Sequence, residues 1–272
     1  MGYLHSGHRS LMQAARAATD FVVVTIFVNP LQFGPGEDLD RYPRDLVADM
    51  RACSEEGVDV VFAPAVEEMY PSPMKTTVHV ADLTSDLCGR ARPTHFDGVT
   101  TVVAKLLSIA GPSKVFFGRK DAQQLAVVRR MVSDLNLPVE VVGCPLVREA
   151  DGLALSSRNA YLSGEERAAA TVLFTALRAA ADAVAAGERD AVTVATLLRE
   201  TISNRSGVVL EYAEVRDADE ITPIDRIEGE VLLVVAARLG HTRLIDNVRL
   251  SVAGDAVTAD LGTGHAPDGR ES

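Results

Sequence analysis

The sequence has no tryptophan, only three cysteines, and 5% aromatic residues across 272 positions. Cys53, Cys88 and Cys144 are far apart and none sits in a CxxC pair. They therefore build neither a disulfide framework nor a cysteine zinc site, and a reducing, cytoplasmic compartment is expected. Long apolar runs are missing too. The longest, 21–28, is far too short to span a bilayer, and no basic segment followed by an apolar stretch opens the sequence. No basic excess is present: the formal charge is −11. That balance argues against nucleic acid or an anionic membrane as partner, although a local group of Lys and Arg can still bind a small anion.

What is present reads as a globular protein. Hydrophobic residues make up 47% and charged residues 24%, and the length suits two domains. Short apolar, β-branched or aromatic runs at 21–28, 58–62, 114–117 and 139–142 alternate with helix-period segments. Leu11, Ala14, Ala15 and Ala18 share one helical face, and Val102, Val103, Leu106, Leu107 and Ala110 share another. This alternation predicts an α/β domain, a Rossmann-like doubly wound parallel sheet, over 1–147. After it the texture changes. Ser163 and Glu166 form a capping-box pattern ahead of an Ala-rich helix to about residue 186, a second helix is expected around 194–202, and strands at 208–215, 230–237 and 244–250. Helices followed by adjacent strands predict a smaller C-terminal α+β domain over 148–250. The Gly-, Asp- and Ala-rich stretch 251–272 is expected to be a flexible tail.

Four clusters carry candidate chemistry. The first is residues 1–8, Met1-Gly2-Tyr3-Leu4-His5-Ser6-Gly7-His8, running into a helix. Two histidines three apart at a helix start project to one side, beside N–H groups that favour phosphate. The same pair could be a capped, solvated helix start; a metal site is disfavoured because no further His or Cys lies nearby. The second, Gly118-Arg119-Lys120-Asp121-Ala122-Gln123-Gln124, follows a strand, where ligands of open α/β sheets sit. Lys120 could neutralise phosphate and Gln124 could fix a polar substrate, or the segment is a charged helix start. The third, Arg148-Glu149-Ala150-Asp151-Gly152-Leu153-Ala154-Leu155-Ser156-Ser157-Arg158-Asn159, could form a flexible anion-binding loop around its two hydroxyls and Arg158 or serve as a polar interdomain linker. The fourth, from Asn29 through Gln32 to Gly34, offers amides at a strand end or simple turn chemistry. No Ser/His/Asp or Cys/His nucleophile order appears. Phosphate and amide contacts suit phosphoryl or nucleotidyl transfer, where positioning and charge neutralisation dominate.

In combination these stretches resemble the pantothenate synthetase (pantoate–β-alanine ligase) family of the HIGH-type nucleotidyltransferases, from Met1 to about Leu250. The matching stretches, in order, are MGYLHSGH, IFVNPLQFGPGEDLDRYPRD, GVDVVFAP, EEMYP, RPTHFDGV, VFFGRKDAQQ, VREADGLALSSRN and RLIDN. The resemblance implies a two-step reaction: ATP and pantoate give pantoyl adenylate and pyrophosphate, and β-alanine then displaces AMP. It implies an ATP site lined by residues 1–8, Gly118, Arg119, Lys120, Asp121, a backbone contact at Val147, and Leu155, Ser156, Ser157 and Arg158. Catalytic weight falls on His5, His8, Lys120, Ser156, Ser157 and Arg158. Pantoate and β-alanine are expected on Gln32, Gln124 and Asn29, with Arg92 and His95 nearby in less defined roles. Mg²⁺ is expected with ATP, with Asp49 and Asp121 as candidate helpers, and the family implies a homodimer. Two departures stand out. Leu155 occupies a position where the family usually has Met, a volume-conserving exchange. Members also carry a strand and a turn ahead of the residue matching Met1, so the expectation is a start assigned downstream of that strand. Two rival readings are an enzyme moving AMP onto a phosphate ester and an ATP-binding protein without catalysis.

Overall fold

The computed structural model describes residues 2–111 and 113–264, and the chain divides into two compact units. The first comprises 1–119 and 123–144; the second comprises 120–122 and 145–272.

In the first unit, helix α1 (Ser6–Ala18) leads into strand β1 (Val23–Thr25). Helix α2 (Leu46–Glu55) starts at Asp45, whose carboxylate accepts the Ala48 N–H, and is followed by β2 (Val60–Phe62). Met12 on α1 is buried with Leu4, Ile26 and Cys53, so the first helix is packed on the β1–β2 pair. The short helices α3 (Val66–Met69) and α4 (Cys88–Ala91) precede the long α5 (His95–Ala110). Phe96, Val99, Val102, Val103 and Leu107 are the buried apolar positions of α5, a 3.6-residue stripe. Strand β3 (Ser113–Gly118), helix α6 (Ala122–Asp134) and β4 (Val139–Cys144) complete the unit.

The pairing is parallel, β1 with β2 and β3 with β4, with α2 and α6 in the connections between the paired strands. Among the described residues these are two separate two-stranded ladders rather than one continuous sheet. The expected strand at 21–28 is shorter in the structure: Val23–Thr25 pair with the three residues of β2, and a 3₁₀ turn capped by Asn29 follows at Pro30–Gln32.

The second unit opens with β5 (Val147–Arg148). Ser163 and Glu166 form the expected capping box, at 2.8 and 3.2 Å, ahead of α7 (Gly164–Ala170). After Thr171 the chain continues as α8 (Val172–Ala185), and α9 (Ala191–Ser203) is capped by Asp190. Strands β6 (Val208–Asp217), β7 (Gly229–Leu239), β8 (Thr242–Ala253) and β9 (Ala256–Asp260) form an antiparallel meander in sequence order. Residues 164–185 are long and apolar enough to cross a membrane by length and composition. Here Leu173, Ala176, Leu177, Ala180 and Val184 instead join Val231, Leu233, Val235 and Val248 in the core of this unit.

The expectation of a flexible tail from residue 251 is corrected as far as residue 264. Alternating Val257 and Ala259 pair across to Val252 and Leu250, and a last strand, β10 (Thr263–Gly264), pairs with β5. Gly254, at φ +62°, makes the reversal that the composition disguises as a loose stretch. Residues 265–272 lie outside the described residues.

Candidate active site

The histidine turn is a capped helix start with an unusual cap. His5 precedes α1, and its Nδ1 accepts the Gly7 N–H at 3.1 Å. The Nδ1 of His8 accepts the His5 N–H at 3.2 Å, closing a reciprocal capping box made of imidazoles. An acceptor nitrogen carries no proton, so both neutral rings are assigned the Nε2–H tautomer. The ring centroids are 4.0 Å apart. Two Nε2–H donors are thus held side by side at the positive end of a helix.

Asp49 on α2 holds the preceding turn. It is 2% exposed, and its two oxygens accept the N–H groups of Tyr3 at 2.8 Å and Leu4 at 2.6 Å. Tyr3 sits at φ +58°, a left-handed conformation unfavourable for a bulky residue. The carboxylate thus serves the turn directly. Gly2 belongs to the same packing, since a Cβ there would lie 3.1 Å from Asp49 Oδ2. Met1 lies outside the described residues.

A second group forms around the 3₁₀ turn. Asn29 is 1% exposed; its Oδ1 accepts from the Tyr70 hydroxyl at 2.8 Å and the Leu31 N–H at 3.2 Å. Its Nδ2 donates to Gly98 O at 3.0 Å and to Gln32 Oε1 at 3.3 Å. The Gln32 amide is thereby oriented, its oxygen toward Asn29 and its donor end elsewhere. The Gln32 carbonyl accepts from Arg92 at 3.1 Å and lies 2.9 Å from His95 Nδ1. Arg92 is held in turn by Glu37, with Nε–Oε1 at 2.7 Å. Burial pushes the Glu37 carboxyl up, but the hydrogen bond and charge of Arg92, with Gly34 and His95, leave it below its ordinary value. Arg92 and His95 therefore brace the backbone that carries Gln32. Sequence reading missed Tyr70, Glu37 and Gly98 here. Gly98 lets α5 approach the turn, because a Cβ there would lie 2.3 Å from Leu31 O.

The adjacent glutamines of the second cluster divide their work. Gln123 is buried and holds the 83–88 loop, donating to Leu83 O and Asp86 O and accepting the Cys88 N–H. Gln124 is half-buried on α6. Gly118 ends β3 opposite Cys144, and Arg119 begins the 3₁₀ turn that follows.

Lys120 and Asp121 group with the second unit. There the Leu155 N–H donates to Val147 O at 3.0 Å, closing a tight excursion through Gly152. Ser156 caps the 3₁₀ turn Ser157–Tyr161, its hydroxyl accepting the Arg158 N–H at 3.3 Å. Asn159 ties this loop to Glu149 at 2.8 Å and to Ala154 O at 3.1 Å. Gly152, at φ +92°, is obligatory: a Cβ would lie 2.1 Å from the Phe174 ring.

Comparisons with known proteins give the family. The family model described as pantoate-beta-alanine ligase matches residues 1–249. The chain belongs to the pantoate–β-alanine ligase family. It is 55% identical to the pantothenate synthetase of Heliobacterium modesticaldum over 252 residues, covering 93% of this chain and 90% of that one. It is 51% identical, with the same coverage, to that of Caldicellulosiruptor saccharolyticus. A crystal structure of the Thermus thermophilus pantothenate synthetase aligns with a TM-score of 0.88 at 48% identity, covering 91% of this chain and 90% of that one. A Francisella tularensis ligase, described as complexed with β,γ-ATP and β-alanine, aligns with a TM-score of 0.73 at 32% identity, covering 91% of this chain and 86% of that one. The doubly wound α/β fold with a smaller C-terminal domain is thus that of the ligase family.

Proposed function

We propose that this chain condenses pantoate with β-alanine at the expense of ATP, through pantoyl adenylate. The observation that carries the reading is the imidazole capping box: two Nε2–H donors on rings whose centroids lie 4.0 Å apart at the start of α1, in a member of this family. In the first step a pantoate carboxylate oxygen attacks the α-phosphorus of ATP and pyrophosphate leaves. The carboxylate is already nucleophilic and needs no base. His5 and His8 donate to phosphate oxygens as charge moves onto them, and Lys120 and Arg158 add positive charge with Ser156 and Ser157 hydroxyls beside them. Gly118, Arg119, Val147 and Leu155 complete the ATP contacts. Gln32 and Gln124 hold pantoate in line; Asn29, expected as a third contact, is buried with its amide fully bonded inside the protein and serves instead to orient Gln32. In the second step the amine of β-alanine attacks the acyl carbon and AMP leaves.

Mg²⁺ accompanies ATP in this reading, held largely by phosphate oxygens and water. Among the described residues no three His, Cys, Asp or Glu converge on a point. Both Asp49 oxygens serve the turn, which leaves the exposed Asp121 as the remaining protein candidate. The three thiols are free and buried, in keeping with a reducing, cytoplasmic setting. A homodimer is part of the proposal; exposed Leu46, Val47 and Met50 on α2 offer apolar surface for such a contact.

The test is pantoate-dependent exchange of pyrophosphate into ATP, followed by β-alanine-dependent release of AMP. Exchange with pantoate supports the ligase. Exchange only with a phosphorylated acceptor would replace it with transfer of AMP to a phosphate ester, and ATP binding without exchange would leave a non-catalytic binder.

A further inference from the structure

The RLIDN stretch, 243–247, has no place in the chemistry above, yet it lies on β8 and reaches the Lys120 segment. Asn247 donates from Nδ2 to the Lys120 carbonyl at 2.8 Å, across 127 residues of sequence. Asn247 is itself fixed. Its backbone carbonyl accepts from Arg148 at 3.2 Å, and its N–H donates to Asp246 Oδ1 at 2.7 Å. Asp246 and Arg148 form a fully buried bidentate pair, at 2.7 and 2.9 Å. Arg148 spends its remaining donors on Gly152 O at 3.0 Å and Leu261 O at 2.5 Å, and its guanidinium lies over the Phe174 ring at 4.1 Å. The network therefore links three things: β8, the loop that presents Leu155–Arg158, and the peptide of Lys120. Burying an ion pair is costly unless every donor and acceptor is matched, and here the matching is nearly complete. An apolar core of equal size would fill this volume without aiming anything. Lys120–Ala122 also groups with the second unit although the residues on either side group with the first.

We infer that Asn247, held by the Asp246–Arg148 pair, is a positioning residue that sets the Lys120 segment in register with the Ser156–Arg158 loop. The inference rests on the reading of Lys120 as a phosphate-contacting group. Its effect belongs in the adenylation step, on kcat, and not in the affinity for pantoate, whose expected contacts lie in the other unit.

The experiment compares Asn247→Ala, Lys120→Ala and the double variant, measuring pantoate-dependent pyrophosphate release and hydrogen exchange of the 118–124 peptide. Losing one such hydrogen bond is expected to lower kcat roughly three- to tenfold with pantoate KM within twofold, and to speed exchange in 118–124 while 26–32 is unchanged. If Asn247 acts through Lys120, the double variant is no more than twofold slower than Lys120→Ala. A drop in kcat below twofold, a further drop beyond twofold in the double variant, or unchanged exchange would overturn the inference. An inactive wild-type chain would count against the ligase reading alone, and the exchange comparison would still judge the Asn247 link. Should Asn247→Ala not fold, Asn247→Ser carries the same comparisons, its hydroxyl being too short to span the distance.

Discussion

Replacing Asp49 by Asn tests how the histidine turn is held. The carboxylate is buried and accepts two backbone N–H groups, from Tyr3 and Leu4, one per oxygen. An Asn of the same shape offers one oxygen, so one N–H would face an NH₂ group instead. Hydrogen bonds to a charged group are worth about 1.5–3 kcal/mol each, and an unmatched buried donor costs about 1–3 kcal/mol. The substitution is therefore expected to destabilise the first unit by about 2–4 kcal/mol, and Asp49→Ala by about 3–5 kcal/mol as both donors lose their acceptor. Tyr3 adds to this, since its left-handed backbone persists only while its surroundings hold it. Function should fall with stability, because residues 2–5 set the position of both imidazoles. Urea unfolding by circular dichroism gives the first quantity and single-turnover AMP formation the second. If Asp49→Asn came within about 0.5 kcal/mol of wild type and kept its adenylation rate, the anchoring argument would be wrong.

Three further outcomes are expected. His8→Ala should slow adenylation by roughly 10²–10³ if its Nε2–H is a main donor to the transition state; His8→Gln, which keeps an acceptor for the His5 N–H, should be nearly as slow, and a loss under about tenfold in both rejects the role. Arg92→Ala should raise the pantoate KM about fivefold, the worth of one hydrogen bond to the Gln32 carbonyl, with ATP KM unchanged. Because the folded Glu37 carboxyl lies below its ordinary value of 4.5, the Arg92–Glu37 contribution to stability is present above that value and lost as pH falls through the lower, folded one. Arg92→Ala should then flatten that acid limb, and an unchanged limb would count against the pair. Burial pushes the Tyr70 hydroxyl up from 10.0 to about 12, so its neutral form stabilises the fold below the lower value, and that stability is lost between the two as pH rises. Tyr70→Phe should remove a late step from the tyrosinate absorbance titration, and an unchanged titration would count against the burial argument.

Much of this is legible in the sequence because it is local. The Ser163–Glu166 cap, the helix stripes and the parallel-strand runs depend on residues within a few positions of each other, and the elements stand where periodicity expects them, although β1 is shorter than 21–28 and α1 buries Met12 and Ala15 while Ala18 is exposed. The 251–264 hairpin reads as loose for a composition reason: Gly, Asp and Ala dominate it, while only Val257 and alternate small residues mark its pleat. The candidate site divides the same way. His5, His8, Gln32 and Lys120 stand in recognisable stretches, but what fixes each one comes from far along the chain. Asp49 is more than 40 positions from the turn it holds, and Arg92 is 60 from Gln32. A buried acid on an otherwise ordinary helix start, or an Arg ahead of a His, carries no local signal of that use. Hence Asp49 reads from sequence as a possible metal helper.

The long-range supports share a design. In each case the group proposed to touch substrate is held through backbone: the N–H groups of Tyr3 and Leu4 by Asp49, the carbonyl of Gln32 by Arg92 and His95, the carbonyl of Lys120 by Asn247. Bonding the peptide fixes position without spending on that task the side-chain donors that the chemistry needs. Family stretches such as RPTHFDGV and RLIDN are then intelligible without a substrate contact. Their residues specify where another stretch's backbone lies, and changing either end of such a bond moves the reacting group. This predicts coupled rather than additive losses between supports and the groups they hold, at Asn247 with Lys120 and equally at Arg92 with Gln32. Additive losses at both pairs would mean that the supports only stabilise the fold.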